Sequence, residues 1–460
     1  MKQLLSVAFV RKFIRLGVCL ILLSLALSFN AYGGFLYVYN ETGNSIYGYS
    51  VNERTGALTP LAGFPLAVAG TGGPLFSSES MNIDAVNKRL YVIADGANTV
   101  NVFSINPLTG ALSALPFSPI LLPNGLHISV KVNPTGSLIA VDDEEHHATY
   151  IYVITPTSAT LAQTIPFTSF SNRESGFSRD GNYFYRSSCC TIGFSGFSIN
   201  AATGIATLLP GSPFRPTAGM GFETDSQGRI FGVSTDSLMD IDVRVFTTNQ
   251  GVPTLVDQES FDYRAIADGA LHPSGKFYTF AERSFNSVQS VQIDGDGANT
   301  TLTAIFPAVA ARGFSTNALV FNQAGNFLFT TNQEARNITT FNFNRETGVP
   351  TFNNVQPVGT NGDGQAPGIA YLPTGIAVFL SGRVTDANGR PISGAVITAT
   401  SPQDGIVHTA RTNPFGYYTF EELITGRTYT LEIRQKQFAF ATQTFTPNQE
   451  FNELNFTAAP

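Results

Sequence analysis

The densest group of chemically active side chains in the sequence is the run VDDEEHH, from Val141 to His147. Carboxylate oxygens and imidazole nitrogens both bind metal ions in proteins, so this run could hold one. Its spacing matches no defined metal site, however, and a solvated loop tip between two strands explains it better. We therefore expect no metal here. The candidate ligands, if one binds, are Asp142, Asp143, His146 and His147.

Five further ionisable residues each stand before or at the start of a short strand pattern. If those strands line one channel, the side chains would ring its mouth and could bind a small anionic or sugar ligand. The alternative is that the arginines pair with nearby acids. These candidates are His127, Arg173, Glu174, Arg264 and Arg312.

The elements that must position these residues repeat along the chain. A turn that ends in glycine and leads into an apolar strand recurs, and equivalent strand positions from Leu36 to Phe327 lie 45 to 54 residues apart. A period of this length, built from short strands and glycine turns, is the size of one propeller blade. The turn and strand read NPTGSLIAV (133–141), SRDGNYFYR (178–186), DSQGRIFGV (225–233), HPSGKFYTF (272–280) and NQAGNFLFT (322–330).

A second phrase, Asn-x-x-Thr-Gly, marks another turn in the same units. Asparagine can accept hydrogen bonds from the backbone that follows it, and glycine adopts positive φ, so the phrase predicts a hairpin between the third and fourth strands. It occurs in VNERTGALTPL (51–61), INPLTGALSAL (105–115), INAATGIATLL (199–209) and FNRETGVPTFN (343–353).

The two ends of the repeat region complement each other. The first unit begins at its second strand, near Phe35, and the missing first strand is found at 367–373. A ring closed in this way leaves no sheet edge exposed. We predict a seven-bladed β-propeller over 35–375, closed by the strand 367–373. A miscounted weak unit would make it six or eight blades.

After residue 375 the period stops. Residues 379–460 contain short alternating strands separated by turns such as Asp386–Gly389, which predicts a small β-sandwich. The fold class is therefore all-β, with a propeller followed by a C-terminal β-sandwich.

The N-terminus predicts export. Residues 1–34 combine a basic start, an apolar run from Leu16 to Phe29 and a small-x-small site at Ala31–Gly33, as in a signal peptide. The alternative is an uncleaved N-terminal anchor. No later segment is long and apolar enough to span a membrane. We expect a secreted, periplasmic or cell-surface protein with no membrane span in the mature chain.

Composition excludes one class of partner. There are 26 Lys+Arg against 33 Asp+Glu, a net charge of −7, and nucleic-acid binding requires clustered positive charge. Cys189 and Cys190 are adjacent, so they do not form a disulfide framework. They are either two half-buried strand-end residues, which we favour, or a vicinal disulfide.

The repeat phrases LYVYN (36–40) and TGALT (55–59) resemble those of the seven-bladed lactonase propeller family, which includes bacterial 6-phosphogluconolactonase. The resemblance covers the whole propeller. SGRVTDANGRPISGAVITAT (381–400) and TNPFGYYTFEEL (412–423) resemble the carboxypeptidase regulatory-like domain, a transthyretin-like sandwich related to folds that bind carbohydrate.

The lactonase resemblance implies catalytic positions that this sequence keeps only in part. Arg173 matches the motif's arginine, but Glu174 replaces its histidine and Cys189 replaces its acid. In the next blade the family has a further arginine, and this sequence has Asp236 at that position. His127 falls near a histidine that the family carries earlier in the chain. Lactone chemistry needs an acid or base and a cation for the oxyanion, so the catalytic candidates are Arg173, His127 and Glu174.

These observations favour an exported, non-catalytic binding or scaffolding protein without a cofactor. Its partner would be a glycan, a surface polymer or another protein. The alternative is a lactonase-like enzyme, of the 6-phosphogluconolactonase type, that acts on an extracytoplasmic lactone. In a third hypothesis the sandwich binds carbohydrate, with Tyr417, Tyr418 and Tyr429 as stacking faces.

Overall fold

In a computed structural model, the chain is described over residues 32–459, apart from 71–78, 168–171, 189–192, 236–239, 263–264, 360–367, 374–376, 402–406, 425–427 and 448–450. The described residues form β-strands and two short 3₁₀ helices, Asp95–Ala97 and Gly297–Asn299. Among them, no helix has the length and apolar character needed to cross a membrane. The predicted all-β class is confirmed. Residues 1–31 of the predicted signal peptide lie outside the described part of the chain.

Seven antiparallel sheets follow one another along the chain, and we number them blades 1 to 7. Blade 1 contains β1 (Tyr32–Asn40), β2 (Ser45–Asn52), β3 (Leu58–Pro60) and β4 (Leu66–Ala67). Blade 2 contains β5 (Met81–Asp84), β6 (Arg89–Ala94), β7 (Thr99–Ile105), β8 (Leu112–Ala114) and β9 (Ile120–Leu121). Blade 3 contains β10 (His127–Val132), β11 (Leu138–Asp143), β12 (Ala148–Ile154) and β13 (Ala159–Pro166). Blade 4 contains β14 (Asn172–Phe177), β15 (Tyr183–Ser188), β16 (Phe194–Ile199) and β17 (Ala206–Leu208).

The remaining blades have the same order of strands. Blade 5 contains β18 (Met220–Thr224), β19 (Ile230–Thr235), β20 (Ile241–Asn249) and β21 (Val252–Phe261). Blade 6 contains β22 (Ile266–Leu271), β23 (Phe277–Glu282), β24 (Ser287–Asp294) and β25 (Thr301–Ala310). Blade 7 contains β26 (Thr316–Phe321), β27 (Phe327–Asn332), β28 (Asn337–Phe343) and β29 (Pro350–Pro357).

The ring closes through a strand from the far end of the propeller. Strand β30 (Gly368–Pro373) pairs antiparallel with β1, from Gly34 opposite Pro373 to Tyr39 opposite Gly368. The innermost strands then contact one another in succession: β5, β10, β14, β18, β22, β26, β30 and again β5. The seven-bladed propeller is confirmed, and these seven strands surround a central channel.

The buried residues lie mainly between neighbouring blades. Every residue of the second strands β6, β23 and β27 is buried, because each is covered on both faces by the blades beside it. The glycine turns fix how the first strand leads into the second. Gly136, at φ +69°, donates its N–H to the carbonyl of Asn133 (2.9 Å), and Asn133 Oδ1 accepts the N–H of Leu138 (2.9 Å). We call the face of the ring that carries these turns the turn face.

The Asn-x-x-Thr-Gly phrase forms the expected hairpin corner. In blade 1, Asn52 Oδ1 accepts the N–H groups of Arg54 (3.0 Å) and Thr55 (3.1 Å), and the Asn52 carbonyl accepts that of Gly56 (2.8 Å). The copies at Asn106, Asn200 and Asn344 make the same bonds. The phrase is repeated because each blade needs the same corner.

The C-terminal part forms two further sheets that enclose one apolar core. One sheet has the order β34, β31, β37 with β38 beside β31, and the other has the order β33, β32, β35, β36. This is the β-sandwich predicted from the sequence. Its strands are β31 (Ala377–Thr385), β32 (Val396–Thr400), β33 (Val407–Arg411), β34 (Tyr417–Ile424), β35 (Tyr429–Arg434), β36 (Gln443–Phe445), β37 (Phe451–Glu453) and β38 (Phe456–Thr457).

Candidate functional site

Three carboxylates from alternate blades meet in the central channel. Glu79 precedes β5 of blade 2, Glu174 lies in β14 of blade 4, and Asp268 lies in β22 of blade 6. One oxygen from each lies within 4.8 Å of the other two. Glu174 and Asp268 occupy the same register position, opposite Ser187 and Ala281 in their second strands. The repeat therefore places these acids at one level of the channel.

Backbone N–H groups hold two of these acids, and for each acid one of the donors belongs to the next blade. Glu174 Oε2 accepts the N–H of Phe222 (2.7 Å). Asp268 accepts the N–H groups of Gly269 (2.7 Å) and Leu319 (3.1 Å). Glu174 Oε1 is buried and receives no hydrogen bond from a described donor. Glu174 and Glu79 can share a hydrogen bond only when one of the two acids is protonated.

One ammonium group accompanies the acids. Lys131 Nζ in β10 lies 2.5 Å from Glu79 Oε2, and the two side chains are 14% and 11% exposed, so water reaches them. Glu223, in β18, is a fourth acid whose charge acts on Lys131. This part of the channel therefore contains four carboxyl groups and one ammonium group among the described residues.

The pKa values of these groups follow from burial and from their mutual charges. Burial and the negative charge of Glu79 raise the pKa of Glu174 and of Asp268 well above the usual range. Burial also raises the pKa of Glu223, to about 7, although Lys131 opposes the shift. Burial acts most strongly on Glu79 and would raise its pKa too, but the charge of Lys131 and the hydrogen bonds with Lys131 and Glu174 together lower it.

Two glycines allow blades 5 and 6 to approach each other beside the acids. A Cβ atom on Gly269 would lie 1.9 Å from the hydroxyl oxygen of Tyr278, and one on Gly221, at φ +59°, would lie 2.3 Å from the Gly269 nitrogen. The Tyr278 hydroxyl donates to the Gly221 carbonyl (2.7 Å). A larger residue at Gly221 would push the inner strands of blades 5 and 6 apart, and one at Gly269 would displace the Tyr278 hydroxyl that joins the two blades.

Glu223 also lines a groove on the turn face between blades 5 and 6. The groove has a volume of about 540 Å³, within the range for small-molecule sites. Its lining carries charges of both signs, including Arg179, Lys276, Asp294 and Glu346. Glu223 lines the groove and also lies close enough to Lys131 for their charges to interact. A ligand in the groove would therefore meet the channel at this residue.

The structure buries His127 between two acids rather than exposing it at a channel mouth. Its side chain is fully buried, its backbone N–H donates to Asp95 Oδ1 (2.6 Å), and its Nδ1 lies 3.3 Å from the same oxygen. Its Nε2 lies 3.9 Å from Asp143 Oδ2.

The two aspartates of the VDDEEHH run are hydrogen-bond acceptors inside blade 3. Asp142 accepts the hydroxyls of Ser129 (2.6 Å) and Thr149 (2.5 Å). Asp143 Oδ1 accepts the N–H groups of Glu145 and His146 in its own loop and that of Leu126 just before β10, and Oδ2 lies 2.9 Å from His146 Nδ1. His147 packs its ring edge-on against Phe167. The aspartates thus organise the loop and the blade.

The remaining predicted positions are only partly described. The backbone of Arg173 lies in β14 without a described side chain, while Arg264, Asp236, Cys189 and Cys190 lie outside the described residues. Arg312 is exposed, and its guanidinium lies 4.8 Å from the centre of the Phe352 ring on the outermost strand of blade 7.

Sequence reasoning selected Glu174 but missed Glu79, Lys131, Glu223 and Asp268. The signal that could have found three of them is a charged residue inside an otherwise apolar or small-residue inner strand, as in HISVKV, MGFET and IADGAL. Glu79 precedes its strand and carries no such signal.

Comparison with known proteins places the propeller in a family. The model of the lactonase seven-bladed β-propeller matches residues 26–172 and 238–362, more than half of the chain. The chain belongs to this lactonase propeller family. The model of the carboxypeptidase regulatory-like domain matches residues 380–459. No curated protein matches the sequence.

Solved structures of lactonase-type propellers share the fold. A proposed 6-phosphogluconolactonase from Bacteroides fragilis superposes with a TM-score of 0.61 at 17% identity, covering 75% of this chain and 99% of that one. The periplasmic gluconolactonase of Pseudomonas aeruginosa gives 0.60 at 14% identity, covering 74% and 99%. At these identities the likeness is one of fold. The lactonase match also omits residues 173–237, which include Glu174 and Glu223.

The tyrosines of the sandwich differ in exposure. Tyr418 and Tyr429 are buried in its core, whereas Tyr417 is 53% exposed. The guanidinium of Arg383 lies 5.4 Å from the centre of the Tyr417 ring. Of the three predicted stacking faces, Tyr417 is the one that solvent reaches.

Proposed function

We propose that this lactonase-family chain is an exported binding protein whose propeller recognises a neutral or cationic, hydroxylated small molecule. The observation that carries the proposal is the charge of the channel, where four carboxyl groups accompany one ammonium group. When ionised, these acids attract ammonium groups and repel phosphate or carboxylate groups, and when protonated they still form hydrogen bonds with hydroxyl groups.

Two placements support binding rather than lactone chemistry. His127, the residue nearest the family's upstream histidine, is enclosed by Asp95 and Asp143, which restricts it as a base for a ligand. Lys131, the ammonium of the acid cluster, is held by Glu79 rather than directed at an open site. A developing oxyanion near these acids would meet mainly negative charge.

Export is part of the proposal. It is supported by the signal-peptide pattern of residues 1–34 and by the existence of a periplasmic gluconolactonase with the same fold. In that compartment the sandwich would act as an accessory module, and the ligand would be a sugar, a neutral lactone or a unit of a surface glycan.

A second candidate function is hydrolysis of a neutral lactone. The observation that favours it is the water-accessible pair of Glu79 and Lys131, close to Glu223. A carboxylate could activate water while the ammonium stabilised the oxyanion. The gluconolactonase with the same fold makes such a substrate worth testing.

The experiment is a parallel test of binding and turnover. Glucono-δ-lactone, its 6-phosphate and a panel of neutral sugars are titrated into the protein by calorimetry, and ring opening is followed by pH-stat. We expect binding of a neutral compound, no binding of the phosphate and no turnover. Turnover that Lys131→Met abolishes would establish the second candidate. Preferred binding of the phosphate would overturn both.

A further inference from the structure

The three channel carboxylates form a ligand set made of oxygen atoms alone. Their closest oxygens lie within 4.8 Å of one another. Ca²⁺ binds oxygen at about 2.3–2.6 Å, so oxygens on opposite sides of the ion lie up to about 5 Å apart. For Mg²⁺, at about 2.0–2.1 Å, the limit is about 4.2 Å. An upper limit of 4.8 Å accommodates either ion, but carboxylates held by three separate sheets favour Ca²⁺, which tolerates irregular geometry, over Mg²⁺, which demands a near-ideal octahedron.

A separate observation, on Glu174, points to a cation as a ligand of this cluster. Glu174 is 1% exposed, and the Phe222 N–H occupies its Oε2. Its Oε1 is buried and receives no hydrogen bond from a described donor. A buried acceptor without a partner is unfavourable, and one that bears negative charge more so. When both acids are ionised, a metal ion beside this oxygen would remove the penalty, which a proton shared with Glu79 removes when the ion is absent.

The charges agree with this assignment. When Glu79, Glu174, Glu223 and Asp268 are all ionised, Lys131 offsets one of four negative charges. A divalent cation would offset two more. We propose that the channel binds one Ca²⁺ ion through Glu79, Glu174 and Asp268.

The proposed ion joins blades 2, 4 and 6 across the ring axis. Each ligand comes from a different sheet, so the ion would oppose any outward movement of these blades. Three of the four acids on which the proposed function rests are also the ligands of this ion, so the two proposals share one site, but the ion needs only their oxygens and no organic molecule. Calcium binding can therefore be measured without that molecule.

The test begins with metal-stripped protein titrated with CaCl₂ and, separately, MgCl₂ by calorimetry. We expect one Ca²⁺ per chain, weaker Mg²⁺ binding and a melting temperature that rises with calcium concentration. Glu174→Gln should weaken calcium binding at least tenfold. Two matched controls, Glu145→Gln and His146→Ala, alter the exposed loop of blade 3 and should leave the affinity unchanged.

Terbium luminescence supplies a second readout. The chain has no tryptophan, and Tyr278 is close enough to the acids for their charges to raise its pKa. Tb³⁺ in the site should be sensitised by Tyr278, and Tyr278→Phe should remove more than half of the emission while calcium affinity is kept. The terbium measurement tests the calcium site even if Glu174→Gln does not fold.

Three results on calcium binding would overturn the proposal. They are absence of calcium binding, an unchanged affinity in folded Glu174→Gln, and loss of binding in His146→Ala with retention in Glu174→Gln. The last result would assign the calcium ion to the VDDEEHH loop instead of the channel. Terbium emission that Tyr278→Phe leaves unaltered would also remove the ion from the channel.

Discussion

Blades 3 and 4 have the same backbone but use their acids differently. Both inner strands carry a register irregularity at the same place, between His127 and Ser129 in blade 3 and between Asn172 and Glu174 in blade 4. In blade 3 the acid is on the second strand, where Asp142 pairs with Ser129. In blade 4 the acid is on the inner strand, as Glu174, and the second strand supplies a serine.

This exchange changes what the acid can do. Asp142 accepts two hydroxyls and lies 3.7 Å from Arg186 Nε, so its oxygens serve the packing of the blades. Glu174 has one backbone donor and a buried oxygen left over. The lactonase match ends at residue 172 and resumes at 238, so the changed acid falls in the segment that the family pattern does not cover. The acid on the second strand of blade 3 thus supports the ring, whereas the acid on the inner strand of blade 4 lines the channel.

The largest effect should come from the acid of blade 3. Asp142→Ala removes the acceptor of Ser129 and Thr149 and the carboxylate beside buried Arg186, so we expect a loss of about 3 to 5 kcal/mol in the free energy of unfolding. Urea denaturation measures it, with exposed Glu145→Ala as the control expected within about 0.5 kcal/mol. A loss below about 1 kcal/mol would contradict a structural role for Asp142.

The second prediction concerns the blade 6 turn, where His272 replaces the asparagine of blades 3 and 7. Its Nε2–H donates to the Gly325 carbonyl (2.9 Å), and its Nδ1 accepts from Ser274. Burial lowers its pKa, so below about pH 6.5 the unfolded chain takes up a proton that the folded chain does not. Stability from this residue is therefore present above that pH and falls as the pH is lowered.

The expected slope from His272 is at most about 1.4 kcal/mol per pH unit. Chemical denaturation between pH 7.5 and 5 measures it. His272→Asn restores the residue of the equivalent turns and should flatten the profile over this interval. An identical profile in the variant would assign the acid sensitivity to other groups.

The third prediction concerns Arg312 in blade 7. Because its guanidinium stacks on Phe352 at the surface, Arg312→Ala should cost no more than about 1 kcal/mol of stability. It should leave ligand binding in the channel unchanged by calorimetry. Loss of ligand binding would instead place Arg312 in the binding ring that its sequence position predicts.

The smallest effect is expected at the acid of blade 4. Glu174→Gln keeps an acceptor for the Phe222 N–H and removes a buried ionisable group, so in chelator the free energy of unfolding should change by less than about 1 kcal/mol. Urea denaturation in chelator, beside Asp142→Ala, compares the two acids directly. Equal losses in the two variants would abolish the distinction drawn between blades 3 and 4.

The fold was predictable because its signals are local and repeated. The turn at Asn133–Gly136 and the corner at Asn52–Gly56 each contain their own hydrogen-bond partners, so a few letters suffice to recognise them. The strand at 368–373 could be assigned to blade 1 by counting, because every other unit already had its inner strand.

The site was not predictable in the same way. Glu79, Glu174 and Asp268 lie in alternate blades, and only the closed ring brings their oxygens within 4.8 Å. The role of each acid depends on how deep it lies in the channel and on which neighbouring residue donates a hydrogen bond to it. A short stretch of sequence determines neither. His127 illustrates the converse, because its position suggested a channel mouth and its partners are two acids of the blades.

The pairing of β1 with β30 also sets the order in which the molecule can be made. It joins residue 34 to residue 373, so nearly the whole propeller must leave the ribosome before the strand that completes blade 1 exists. Until then the first blade has an open edge and the ring cannot be finished, because contacts so distant in sequence form late and slowly. The propeller is therefore a fold that stays incomplete during synthesis and is sealed by one of its last strands.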